Sequence, residues 1–272
     1  MTDFNKIENY YKKFDEKNRL INDNSGRLEY EMTMKILENE LPKEGVILDL
    51  GGAAGAYSFP LAEKGYKVYL ADLSKDLIEQ AIARKTEEEC KNLVSCDVVN
   101  AIDLSIYEDN LFDVVLAFGP LYHLLEENER EKCVAEINRV LKPGGKVFVS
   151  FIPYLSGSIA IIDRLFRHPE QVDLSNLTNV FETGKFNNAT EKGFQEGYYP
   201  TSNEIEKLFF NEGFKKIAIK SIRGLGYEKE DKIYSIDNEE IFNKIIELIT
   251  KTAEDKSIVE MCGHAMYIGS KL

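Results

Sequence analysis

Five apolar runs, each rich in β-branched residues and each followed by a helix-patterned segment, occupy the middle of this chain and restrict the folds open to it. They read VILDL (46–50), KVYLAD (67–72), NLVSCD (92–97), FDVVLAF (112–118) and GKVFVSF (145–151). The intervening pattern is clearest over 127–141, where Cys133, Val134, Ile137, Val140 and Leu141 recur at three- and four-residue intervals until KPGG (142–145) stops the helix. Alternation of this kind predicts βαβ units, with parallel strands buried on both faces under helices.

The rhythm breaks over 152–200, which combine a short apolar helix around SIAIIDRLF with Gly-, Asn- and Tyr-rich stretches. It resumes with TSNEIEKLFFNEGF, whose Thr201 and Glu204 have capping-box spacing, and with the strand-like KKIAIKSI. A second capping-box spacing, Asp237 to Glu240, precedes a helix carrying Ile241, Phe242, Ile245, Ile246 and Ile249, and AMYIGSKL reads as a last strand. Ahead of the first strand, residues 1–41 read as helical. Ile7, Tyr10, Tyr11 and Phe14 share one face, Leu28, Met32, Ile36 and Leu37 another, and the turn-like NDNSG (22–26) separates them.

A chain of 272 residues buries a full core as one large α/β domain with an insertion. Its formal charge of −13 and the absence of a basic run with interleaved aromatics argue against nucleic acid as partner or substrate. The charged N-terminal stretch lacks the apolar core of a signal peptide, and no run approaches the roughly eighteen apolar residues of a membrane helix. The expectation is a cytoplasmic protein without a membrane partner. The four cysteines form no C-x-x-C pair and the three histidines are scattered, so no metal site is expected and the thiols read as reduced, small apolar side chains.

The sharpest chemical signal is VILDLGGAAGAYS (46–58), a buried strand that passes through Asp49 into a small-residue turn and a helix. Small residues let backbone approach a ligand, and the N–H groups of a helix start point toward it. Counted from Gly51, a dinucleotide G-x-G-x-x-G would need glycine where Ala53 and Ala56 stand. The second strand ends in Asp72, about twenty residues past the turn, where a carboxylate can accept both hydroxyls of a ribose. The third ends in Asp97, followed by Val98, an acceptor and a backbone donor suited to an adenine edge. Strand-end aspartates also occur as plain turn and cap chemistry.

Together ILDLGGAAGAYS, VYLADLS, SCDVVN, FDVVLAFGPLYHLL and RVLKPGGKVFVSF resemble class I S-adenosylmethionine-dependent methyltransferases, in particular a small-molecule group whose fourth strand runs into Gly-Pro-Leu-Tyr-His-Leu. The resemblance implies a Rossmann-like, mostly parallel seven-stranded sheet in the order 3-2-1-4-5-7-6 with the last strand antiparallel. It implies S-adenosylmethionine over the ends of strands one to three and methyl transfer by in-line displacement to an N, O, S or C atom of a small molecule. Residues 1–41 would be a helical cover, 42–272 the core, and 152–200 an insertion covering the substrate. By the same resemblance Asp49 and Gly51 face the methionyl part, Gly52, Ala53 and Gly55 of the turn also bind the cofactor, Asp72 and Leu73 serve the ribose, and Asp97 and Val98 the adenine. Phe118 and Gly119 would lie beside the ligand's ammonium, and Arg27, with Tyr30 one turn on, near its carboxylate. The group's turn is Gly-x-Gly-x-Gly, whereas here Ala53 replaces the middle glycine, which is tolerable if its φ is negative.

Residues 119–123 would then border the acceptor. Tyr122 and His123 are the candidate catalytic pair, His123 as general base, but a Tyr-His pair after a Gly-Pro corner also suits plain capping and packing. Tyr154, Phe181, Phe186, Phe194, Tyr198 and Tyr199 in the insertion suit either a cover over an apolar guest or packing onto the sheet. Other readings are a module that holds S-adenosylmethionine without turnover, a nicotinamide-dependent oxidoreductase, or a methyltransferase of RNA or protein. The missing glycines count against the oxidoreductase, and FGPLYHL in place of an Asn/Asp-Pro-Pro-aromatic motif counts against base modification.

Overall fold

In the computed structural model, which describes residues 2–13, 18–187 and 196–272, the predicted strands pair as β1 (Val46–Leu50), β2 (Lys67–Asp72), β3 (Leu93–Val98), β4 (Phe112–Ala117) and β5 (Leu141–Phe151). With β8 (Phe214–Ser221) and β9 (Ala265–Lys271) they form, among the described residues, a seven-stranded sheet in the order β3-β2-β1-β4-β5-β9-β8. Two further strands, β6 (Lys185–Asn187) and β7 (Glu196–Tyr198), pair only with each other. Without them the order is the expected 3-2-1-4-5-7-6. β9 runs antiparallel to both neighbours.

Each central strand sorts its side chains to two apolar layers, as a sheet buried on both faces requires. Leu48, Val115, Val147 and Tyr267 meet α7 (Glu127–Val140) through Cys133, Val134 and Ile137, and α10 (Ser202–Asn211) through Ile205 and Phe209. Ile47, Val114, Phe148 and Ile268 face the other layer, which is built by α3 (Asn24–Glu40), α4 (Ser58–Glu63), α5 (Lys75–Glu87) and α12 (Glu239–Lys251). Leu28, Met32, Ile36 and Leu37 put α3 into this core, whereas α1 (Phe4–Lys13) and α2 (Arg19–Asn22) lie at the strand ends. Among the described residues no helix is long and apolar enough to cross a membrane.

Several local expectations need correcting. The break at 22–26 narrows to Asp23, whose carboxylate accepts from the Gly26 N–H (2.7 Å) and starts α3 at once. Asn238, not Asp237, caps α12 by accepting from the Ile241 N–H. The Thr201–Glu204 box forms as expected. β5 begins at Leu141, which pairs with Phe112, and a register shift absorbs the KPGG turn.

Residues 152–200 hold more order than their composition suggests. α8 (Tyr154–Arg167), α9 (Ser175–Thr183) and the β6–β7 pair close on a small core of Ile161, Val180, Phe186 and Tyr199. Phe186 and Tyr199 stack there with centroids 6.3 Å apart, and Tyr198 lies under the Arg130 guanidinium at 3.6 Å. Phe14 and Phe194 lie outside the described residues.

Candidate active site

The strand order reverses between β1 and β4, and at such a switch point the loops leaving the two strands part and open a crevice. Here a cleft of about 1090 Å³ opens at the carboxyl ends of β1, β2, β3 and β4. From the sequence candidates, Asp49, Gly51, Gly52, Ala53, Asp72, Leu73, Phe118, Gly119, Tyr122 and His123 line it.

The β1 turn leaves little room for side chains. A Cβ on Gly51, at φ +76°, would stand 2.7 Å from Pro120 Cδ, so the glycine turn and the Gly-Pro corner after β4 are packed against each other. A Cβ on Gly52 would stand 2.6 Å from Asp49 Cγ. Asp49 is fully buried. Its Oδ2 accepts from Ser58 Oγ (2.6 Å), while Oδ1 has no protein partner and is sealed from solvent. Burial first, and repulsion from Asp72 second, push its carboxyl up to about 6 although the Ser58 bond opposes them.

Asp72 spends both oxygens on its own turn, Oδ2 on the Ala53 N–H (2.9 Å) and Oδ1 on the Ser74 N–H (2.8 Å). Burial raises its carboxyl against these bonds. Ala53 departs from expectation, since it stands at φ +50° with its N–H already given to Asp72. An L-residue there costs about 1–2 kcal/mol, partly offset in glycine by its freer unfolded state. Ala53→Gly should therefore stabilise the protein by about 0.5–1 kcal/mol, read as a higher urea midpoint at unchanged slope.

Four candidates lie off the cleft wall. Gly55, at φ +87°, instead lets the chain pass Phe59, whose ring carbons would be 2.8 Å from a Cβ. Asp97 Oδ2 accepts from Ser95 Oγ (2.6 Å) and Tyr107 Oη (3.0 Å), and Val98 is half exposed. The cleft is bordered one turn later by Val99, Asn100 and Ala101. Arg27 points outward, paired with Glu31 at 2.9 Å and lying 4.2 Å over the Tyr234 ring, because the turn at Asp23 rotates its face of α3 away. Tyr30 stacks on Tyr57, which itself lines the cleft.

Arg19 of α2 reaches the wall that Arg27 does not. It is anchored by Glu29 at 2.9 Å. Burial works against the Glu29 charge, but Arg19, His264 and Arg223 hold its carboxyl well below the ordinary range. Phe4, Ile7, Glu8 and Tyr11 of α1 complete the opposite wall at three- and four-residue spacing. That periodicity was the available signal for α1, whereas nothing local distinguishes Arg19 from other exposed basic residues.

α6 (Pro120–His123) is the single turn that answers the Gly-Pro corner. Leu121 and Leu124 face the core, Tyr122 and His123 the cleft. His123 is 8% exposed, and burial pushes its imidazole down to about 4, with a hydrogen bond from the ring to the Glu196 backbone pulling weakly the other way. Its Nε2 lies 2.7 Å from the Tyr11 hydroxyl. None of the insertion's described aromatics lines the cleft: Tyr154, Phe186 and Tyr199 pack in the insertion's own core, whereas Phe181 is largely exposed. The insertion reaches the site through β7, where Glu196 also holds Lys6 of α1 at 2.8 Å.

Residues 48–149 match the protein family described as Methyltransferase domain. S-adenosylmethionine is the cofactor, and the cradle fits one: the backbone at Gly51 and Gly52 is packed too closely against Pro120, Leu70 and Asp49 to carry side chains, and a buried carboxylate oxygen lacks a protein partner. The chain is 36% identical to the ubiquinone/menaquinone biosynthesis C-methyltransferase UbiE of Hydrogenovibrio crunogenus over 38% of its own length and 41% of that enzyme. It is 28% identical to the demethylmenaquinone methyltransferase of Oceanobacillus iheyensis over 80% of its length and 89% of that enzyme. The fold of this chain is shared by the PH0226 protein of Pyrococcus horikoshii, with TM-score 0.62 and 21% identity over 97% and 99% of the two chains.

Proposed function

We propose that this chain is a cytoplasmic enzyme that moves a methyl group from S-adenosylmethionine to a small, largely apolar acceptor held beneath α1. One observation carries the reading: a continuous cleft joins the carboxylates at the strand ends to an aromatic wall of Tyr11, Tyr122 and His123. Asp49 and Arg19 would hold the charged methionyl end, Asp72 the ribose, and the backbone at Val99–Asn100 the base. Bound S-adenosylmethionine supplies an electrophilic methyl on a sulfonium. The chain's share of the work is to align the acceptor and exclude water, and alignment alone is worth roughly 7–11 kcal/mol.

Phe4, Ile7 and Leu124 suit a ring rather than a strongly charged acceptor, in keeping with the quinone-pathway relatives. The described part of the insertion acts on this site as a brace on α1 and His123. Calorimetry with S-adenosylmethionine and S-adenosylhomocysteine tests the donor half. Transfer of labelled methyl into a hydroquinone, set against a total metabolite extract, tests the acceptor half. Heat with both nucleosides and label in a ring compound are expected; no heat with either ends the reading.

A further inference from the structure

The hydrogen bond between Tyr11 and His123 joins two elements far apart in sequence, at the one wall of the cleft that none of the strand-end carboxylates reaches. The rings meet edge to face, with centroids 5.5 Å apart at 78°. Both rings line the cleft, and His123 is nearly sealed from solvent. An imidazole this buried is neutral at pH 7 and can accept at Nε2. With its proton directed at Nε2, the phenol oxygen keeps its acceptor capacity for the cleft. Hydrogen bonds then run from guest to Tyr11 to His123.

The pair is also braced for registry. α1 is tied down by the Thr2 N–H and Oγ1 on Glu129 (3.2 and 2.5 Å) and by Lys6 on Glu196, the first residue of β7, the strand that abuts α6 and its His123. These anchors fix the height at which Tyr11 enters. A lone phenol is a poor base near neutrality, because its own pKa is about 10. A phenol that passes its proton on while receiving another needs no free phenolate.

Resting on the reading of the cleft as a donor and acceptor site, we propose that Tyr11 is a catalytic residue that takes the acceptor's proton, with His123 as the positioning residue that receives the phenol's own. The acceptor is accordingly an X–H acid, such as a hydroquinone with its ring C–H or O–H or an ammonium N–H, and not a thioether. The balance is simple. The bond from the donor's sulfur to the methyl carbon breaks and the methyl-to-X bond forms. The proton of X goes to Tyr11 Oη, the Tyr11 proton goes to His123 Nε2, and the resulting imidazolium loses its proton to water after product leaves. The positive charge that enters on the donor ends the step on the His123 ring, where burial disfavours it, and is released with the proton to water.

The test uses the full chain, ¹⁵N-labelled in histidine, as wild type, Tyr11→Phe, His123→Gln and the double variant. In wild type the His123 Nε2 resonance should be of the unprotonated, hydrogen-bonded kind and should shift in Tyr11→Phe. With labelled methyl donor and a hydroquinone, a primary amine and a thioether as probes, Tyr11→Phe should lower kcat by about 10²–10⁴-fold, with calorimetric donor affinity held within about threefold. The double variant should lose little more than either single one, as groups acting as a unit do. A protonated Nε2, an unchanged kcat in Tyr11→Phe, methylation of the thioether alone, or no probe methylated by wild type that binds donor would each overturn the relay. Absence of heat with S-adenosylmethionine overturns the donor site instead, and the two failures are distinguishable.

Discussion

Asp49→Asn is expected to make the ligand-free protein more stable at neutral pH and to weaken its hold on S-adenosylmethionine by roughly 100-fold. The opposite signs come from one cause. Asp49 is sealed beneath the β1 turn with a single protein hydrogen bond, and its carboxyl is pushed up to about 6 from an ordinary 3.8. In the unfolded chain the group ionises near 4, so folding carries no penalty below that pH. The penalty grows as pH rises from 4 through 6 and is complete above it, at about 3 kcal/mol. Asparagine keeps the Ser58 bond without the charge. Its advantage should be full at pH 7.5 and vanish by pH 4, as measured by urea unfolding.

A bound cation reverses the balance. The ammonium of the donor would give the lone Asp49 oxygen the counter-charge it lacks, a bond to a charged group worth about 1.5–3 kcal/mol that the amide cannot match. In wild type the same linkage predicts a proton released on binding and an affinity that falls about tenfold per pH unit below 6. Calorimetry from pH 5 to 8 should show the slope in wild type and a flatter line in the variant. An equal slope in both would place the titrating group elsewhere.

How much of this was legible depended on whether a signal was local. β1 and β2 have the very bounds their sequences imply, because strands buried on both faces must be apolar throughout and their flanking turns are glycine-rich or charged. The strand order and the cleft followed from the alternation and the resemblance. Asp97 was misread because its partner, Tyr107, reaches it from a loop whose path no pattern records. Arg27 was misread because a one-residue break at Asp23, in place of a five-residue turn, sets which face of α3 meets solvent. α9 reads as SNLTNVFET, poor in strong helix formers, and owes its form to Val180 packing on Phe186 and Tyr199. The Tyr11–His123 bond, spanning 112 residues, lies wholly beyond local reading.

Gly52→Ala should cost about 3–5 kcal/mol of stability and abolish measurable donor binding, although alanine is at ease with the backbone there. Gly52 has no positive φ, unlike its neighbour Gly51 at +76°, so conformational strain is not the reason. Space is. The new methyl would stand 2.6 Å from Asp49 Cγ and 2.7 Å from its Oδ2, with a Leu70 methyl nearer still. The Leu70 terminus can rotate aside, but Asp49 is a short side chain held by Ser58 in a sealed pocket and cannot. Overpacking costs about 1–3 kcal/mol, and displacing the carboxylate from Ser58 Oγ costs about 1.5–3 more. The control is built into the same contact: Gly52→Ala combined with Asp49→Ala, which removes the opposing atoms, should recover most of the stability and none of the binding. Recovery of neither would show that Leu70, not the carboxylate, defines the space the glycine keeps open.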